Sequence, residues 1–324
     1  MSQAPAYFLW PQPKPLRAML NAWRFVTISQ IEKRLSEMFP GGTPVLFSSG
    51  RAALCHALLI SGLARGDKAG VFPFANHCVL DAVSRIATPT AVGSDTSLNV
   101  VFQQWGYVQH NDLSAHDVED CVDSLLVPGG RLFPGGGGFE VWSLPKILGT
   151  TGGGVLWCRS AEAAIALRQL RDSRTGGSLL WGLRLLGMHS ALLHACWQGA
   201  EASQGRPSRP QTGEILAALD VWCEIAADRQ KKLDIAWQLA PYWLARPTDR
   251  LPCVVPVELS EGANGEVLAL RAGISSGQRM IERSATSGLF ELTRVLPIPI
   301  HQDVTMSRLD EMMNCILRDV RRGV

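Results

Sequence analysis

The sequence predicts an α/β fold, with a large domain over residues 1–240 built on a mostly parallel sheet and a small α+β domain over residues 241–324. Three observations carry this expectation. Short apolar, β-rich runs alternate with helical periodicity through the first half of the chain. Glycine turns punctuate the passage from strand pattern to helix pattern. A helical stretch then meets a proline-bearing break at 241–252, beyond which strand patterns resume.

The clearest unit is a strand at 44–48, a turn at Ser49-Gly50 and a helix over 51–64 whose apolar face carries Leu54, Ala57, Leu58 and Leu63. A second turn, Arg65-Gly66-Asp67, leads into a strand at 69–73, a helix over 79–86 and a strand at 90–92. Three strands joined by two crossover helices are expected to lie parallel with right-handed connections. Further strands are expected at 100–102, 139–143 and 154–157, between glycine-rich loops at 129–130, 135–138 and 152–154. Residues 214–239 read as one long amphipathic helix, bearing Leu216, Leu219, Trp222, Ile225, Ala226 and Leu233, that connects the two domains. A strand at 253–257, a helix at 266–272, a strand at 294–300 and a helix at 306–320 complete the small domain.

Composition narrows the function. The 324 residues are 46% hydrophobic and 19% charged, enough to bury a full core. The 31 basic and 29 acidic side chains are spread along the chain, leaving no footprint for nucleic acid. The cluster Arg318, Arg321, Arg322 reads as a solvated helix end. Eight cysteines stand as scattered singles without metal-ligand or CxxC spacing, which suits a reducing, cytoplasmic setting and no bound metal. The proline-rich start does not read as a signal peptide, and the apolar stretch 179–197 is broken by Arg184, His189 and His194, so no membrane span is expected. The two histidines are five apart, off the i, i+4 spacing of a helical metal site.

Two segments can carry chemistry. Phe47-Ser-Ser-Gly-Arg-Ala-Ala-Leu54 places a glycine turn at a helix N-terminus, where exposed amides suit a phosphate. Lys146 follows a predicted strand and precedes Gly149-Thr-Thr-Gly-Gly-Gly154. At the C-terminal edge of a sheet, desolvation and a nearby cation would lower its pKa enough for Schiff-base chemistry. Upstream, Asp112, Asp117, Asp120 and Asp123 compete to supply the buried carboxylate that a cofactor pyridine needs to stay protonated.

In order, the segments Ile31 to Met38, Ser49-Gly50-Arg51-Ala52, Gly66-Asp67, Pro73 to His77, Ser94-Asp95, Glu119-Asp-Cys-Val-Asp123, Lys146 with Thr150-Thr151-Gly152, and Leu296-Pro-Ile-Pro-Ile-His301 resemble the DegT/StrS family of sugar aminotransferases. The resemblance is collinear over roughly residues 30 to 320. It implies an aspartate-aminotransferase-like, fold-type I large domain, pyridoxal 5'-phosphate as cofactor, and a homodimer acting on a keto sugar, nucleotide-linked, with an amino acid such as glutamate as donor. Carried over by position, Lys146 is implied as the Schiff-base lysine and proton shuttle, Asp120 as the partner of the pyridine nitrogen, and Asp123 as a further cofactor contact. Arg51 and Ala52 would offer amides to the phosphate, Ser143 a hydroxyl, and His77 would stack on the cofactor ring. The chain departs from the family at Arg51, where threonine is usual, at Asp123, where glutamine is, and at Val141, where a phosphate-binding serine is. Arg206-Pro-Ser-Arg-Pro210 replaces the stretch the neighbouring subunit normally contributes. A lyase or dehydratase on the same fold is one alternative, although the sugar dehydratases would have histidine in place of Lys146. A non-catalytic member of the family is the other.

Overall fold

The computed structural model describes residues 7–72, 75–93, 95–108, 110–174, 178–187, 190–201, 205–283 and 291–322. Pro73, Phe74, Ser94 and His189, and the side chains of His194, Arg321 and Arg322, lie outside the described residues.

The chain enters through an extended strap, residues 7–14, and the helices α1 (Pro15–Asn21) and α2 (Ile28–Met38). Thr27 caps α2 in a capping box with Gln30, which fixes where this helix starts. Then follow β1 (Thr43–Phe47), α3 (Gly50–Ile60), β2 (Lys68–Val71), α4 (His77–Ser84), β3 (Thr88–Ala91) and β4 (Leu98–Phe102), close to the expected alternation. The large sheet is completed by β5 (Val118–Asp120), β7 (Phe139–Ser143) and β8 (Gly154–Cys158), with the short β6 (Ser124–Leu126) outside it and α5 (Leu144–Leu148) between β7 and β8.

Its order is β1-β8-β7-β5-β4-β2-β3. The pairs from β7 to β3 are parallel, whereas β8 runs antiparallel to both β7 and β1. The reversal follows from chain length: the connection between Ser143 and Gly154 is too short for a crossover that would return the chain in parallel. β5 is a strand the sequence conceals. Its residues Val118, Glu119 and Asp120 are all buried, and Glu119 is satisfied by Gln103 Nε2 at 2.7 Å and by the amides of Gly135 and Gly137 at 2.7 and 2.9 Å.

The helices α6 (Ala161–Asp172), α7 (Ser178–Gly187) and α8 (Ala191–Glu201) lead to α9 (Arg209–Asp220) and α10 (Trp222–Ala236). The single long helix expected over 214–239 is therefore two helices. The chain leaves helical geometry at Val221 (φ −107°, ψ 13°), and Trp222 buries its ring against Phe39 and Trp142 while its Nε1 donates to Leu126 O at 2.9 Å. Amphipathic spacing cannot reveal such a break, because both halves keep one apolar face.

β9 (Arg250–Pro252) pairs with β6. Its Arg250 is buried against Glu140 of β7 at 2.8 Å, and that carboxylate also accepts Trp142 Nε1 and the Phe133 amide. The chain then forms an antiparallel sheet of order β10-β12-β11 from β10 (Val254–Glu258), β11 (Arg279–Glu282) and β12 (Leu292–Pro299), packed with α11 (Gly265–Ala272) and α12 (Met306–Arg322). Strand β11 was not expected from the sequence. Among the described residues no helix is long and apolar enough to cross a membrane.

Candidate active site

Lys146 sits on α5, a helix of five residues at the C-terminal end of β7. Pro145 suits the first turn of this helix, and Gly149 ends it in the left-handed region at φ +72°, its amide donating to Pro145 O at 2.9 Å. The far end is held from below: Arg229 of α10, fully buried, donates to Ile147 O at 2.9 Å and to Gln302 Oε1 at 2.9 Å. Neighbouring β5 ends at Asp120, so Asp120 and the following loop face the same sheet edge as Lys146.

One cavity at this edge is lined by Arg51, Asn76, Cys78, Asp120, Ser143 and Lys146, among others. Lys146 Nζ lies 3.0 Å from Asp123 Oδ1, and the Asp123 side chain is almost wholly buried. Asp120 is buried too, and its Oδ1 accepts the Val122 amide at 3.3 Å. Burial, reinforced by the Asp123 charge and opposed by Lys146, pushes the Asp120 carboxyl up to about 6. For Lys146, burial alone would lower basicity, but Asp123, the Cys78 thiol and Asp120 outweigh it and hold the ammonium above the ordinary lysine value. The expected lowering of this pKa is thus reversed, because the groups that set it are Asp123, Cys78 and Asp120.

At the other side, Ser49 caps α3, its hydroxyl accepting the Ala52 amide at 3.1 Å. Ala52 is fully buried, so the amide expected to meet a phosphate is taken by Ser49. Arg51 does line the cavity, with its guanidinium 3.9 Å from Asp81. The 152–154 glycines close on this turn, since a Cβ at Gly154 would lie 2.3 Å from Ser49 backbone atoms. Ser143 lines the cavity beside Gly50, where a Cβ would approach its own Cβ to 3.2 Å.

His77 is placed differently from the expectation. It is exposed on the first turn of α4, and its neighbours Asn76 and Cys78 line the cavity instead. Successive residues at a helix start point about 100° apart, so a one-residue offset moves a side chain out of the site. Of the competing aspartates, Asp117 is spent on the amides of Asn99 and Ser114, and Asp112 is exposed. Only Asp120 and Asp123 meet Lys146. Missed by sequence reasoning is Trp10, whose ring lies 4.6 Å from Lys146 Nζ and whose Nε1 donates to Asp123 Oδ1 at 2.9 Å. It stands in a proline-rich run without periodicity, and nothing local marks it.

The donor set fits pyridoxal phosphate: a buried carboxylate for a protonated ring nitrogen, an amine within the same cavity, and a guanidinium at a helix N-terminus for a phosphate. Residues 31–183 match the family described as "Putative PLP-dependent aminotransferase". No curated protein matches the chain. Among solved structures the chain is similar to Helicobacter pylori PseC, an aminotransferase involved in the biosynthesis of pseudoaminic acid, at 12% identity over 97% of this chain and 99% of that one, with a TM-score of 0.64. It is similar to S. venezuelae DesV at 15% identity over 97% and 98% of the two chains (TM-score 0.61). A DegT DnrJ EryC1 StrS aminotransferase from Brucella abortus is 13% identical over 93% and 95% (TM-score 0.59). At such identities the likeness is one of fold, and the fold is that of the fold-type I aminotransferases.

Proposed function

Starting from its standing as a divergent relative of the pyridoxal-phosphate-dependent aminotransferases, we propose that this chain is a cytoplasmic, homodimeric enzyme that aminates a nucleotide-linked keto sugar with an amino acid such as glutamate as donor. The observation that carries this reading is the meeting of Lys146, Asp120 and Arg51 in one cavity at the edge of the large sheet. The exposed apolar side chains Leu16, Met19 and Leu20 of α1, followed by Trp23 and Phe25, support a partner subunit covering that face. The division into domains at residue 240 belongs to the same proposal.

Bound pyridoxal phosphate supplies an electron sink that acidifies the α-proton of an amino acid joined to it. The remaining work falls to the chain. Asp120, a buried carboxyl in the same cavity, would pair with the ring nitrogen and keep it protonated. Arg51 and the start of α3 would hold the phosphate. Lys146 Nζ would carry the proton between donor carbon and cofactor carbon, and Asp123, 3.0 Å away, orients that nitrogen.

Purified protein supplied with pyridoxal phosphate should develop a visible band that glutamate bleaches, and borohydride should trap the cofactor on Lys146. Trapping that persists on another lysine in Lys146→Ala overturns the assignment. A second reading, cofactor binding without turnover, is favoured by the enclosure of Lys146 between Trp10 and Asp123. It would give the band without the response to glutamate.

A further inference from the structure

The strap, residues 7–14, does not belong to the large sheet. Tyr7 exchanges backbone hydrogen bonds with the segment after α11: its amide donates to Gly273 O and its carbonyl accepts from Ser275, both at 2.8 Å. Phe8 O accepts from His301 Nε2 at 2.9 Å; burial lowers that imidazole to about 4, so it is neutral, and its Nδ1 accepts the Asp303 amide at 3.3 Å, which leaves the proton on Nε2. Asp303 accepts the Gln12 amide at 2.8 Å and pairs with Lys14 at 2.7 Å. At Gly149 a side chain would meet Gln12 O and Pro11 at 3.2 Å, so this glycine lets the strap pass over the end of the lysine helix. The strap is thus fastened at both ends to segments that flank the small sheet, and between its fastenings it sends one side chain, Trp10, to Lys146.

Trp10 makes two contacts there, and they act on one ion pair. Its Nε1 donates to Asp123 Oδ1, the same oxygen that accepts Lys146 Nζ. Its ring face lies against the ammonium. With Asp123, Trp10 also lines a second, larger cavity, together with Phe72, Phe102, Trp105 and Arg279, in which Trp105 holds a left-handed backbone at φ +54°. An occupant of that cavity would therefore touch Trp10. The charged and titratable groups facing Lys146 are Asp120 and Asp123 from β5 and its loop, Cys78 from α4, Arg51 from α3 and Cys253 between β9 and β10.

We infer that Trp10 is a positioning residue that holds the Asp123 carboxylate on Lys146 Nζ, so that the reactivity of this lysine depends on the docking of the N-terminal strap. The inference rests on the reading of Lys146 as the reactive lysine. Its test reads the lysine itself, so it can fail while cofactor trapping succeeds, or the reverse. In cofactor-free protein, the rate at which acetic anhydride labels Lys146 is followed by mass spectrometry against pH, relative to the same lysine in unfolded chain.

Trp10→Phe keeps an aromatic face and removes the N–H together with the five-membered ring that carries it. The Asp123 carboxylate, no longer held on Nζ, then stabilises the ammonium less, and labelling below the midpoint should rise about threefold, equivalent to roughly half a pH unit. Asp123→Asn should raise labelling well above wild type. In the Asp123→Asn background, Trp10→Phe should add nothing. Labelling of Trp10→Phe equal to or below wild type, or an equal change in both backgrounds, overturns the inference. Asp303→Asn loosens the strap without touching the site and guards against a poorly folded Trp10 variant. Its Lys146 labelling must differ from wild type, and an unchanged rate removes the dependence on strap docking.

Discussion

Asp120 offers a test in which stability and cofactor binding move in opposite directions. Its carboxyl rises from 3.8 to about 6 in the folded chain, with burial as the main cause. An acid whose folded pKa lies above its unfolded value binds protons more tightly when folded, so raising the pH through this window favours unfolding. A rise of this size corresponds to about 3 kcal/mol, developing between about pH 4 and pH 6 and present in full above that. Asp120→Asn keeps shape and removes the charge, so the cofactor-free protein should gain up to about 3 kcal/mol at pH 8 and little at pH 4. Urea unfolding at the two pH values measures this directly. The same variant should lose most of the stabilisation that added pyridoxal phosphate gives to wild type, because the ring nitrogen loses its charged partner. A variant less stable than wild type at pH 8, or a gain independent of pH, refutes the argument that Asp120 is a charge held at a cost.

Two further outcomes test other parts of the structure. Glu140→Ala strands the buried Arg250 guanidinium and deprives Trp142 Nε1 and the Phe133 amide of their acceptor; denaturant titration should show a loss of about 3–5 kcal/mol, and a loss under 1 kcal/mol would mean that the site collapses or hydrates. His77→Ala, at an exposed position, should leave cofactor affinity and stability within about 0.5 kcal/mol of wild type, and a tenfold weaker cofactor affinity would return His77 to the ring.

How much could be read in advance depended on whether the signal was local. The strand, glycine turn and helix at β1 and α3 were legible because apolar periodicity and a turn residue coincide within twenty positions. Lys146 and Asp120 were placed by the order of segments along the chain, and the structure brings both to one cavity. Strand β5 was hidden because Glu119, a residue that composition assigns to the surface, is buried on bonds from Gln103, Gly135 and Gly137 that no local pattern reveals. His77 failed by a single position at a helix start, where boundaries are least certain. Trp10 could not be found at all, since its partners lie more than a hundred residues away and its own neighbourhood has no period.

The strap has a consequence for assembly. The Trp10 to Asp123 bond spans 113 positions, and the bonds that fasten the strap at Phe8 and Gln12 span 293 and 291. Contacts this distant carry the largest loop-closure cost and form late. During synthesis the large sheet can close while residues 301–303 are still unmade, and residues 8–12 must wait for residues 301–303 before they are fastened. A ribosome-tethered chain stopped after β9 would thus carry Lys146 and Asp120 on a finished sheet with the strap's anchors missing. Maturation of the lysine's surroundings waits for residues 273–303, readable as a change in Lys146 labelling between chains stalled after β9 and chains in which those residues have been made.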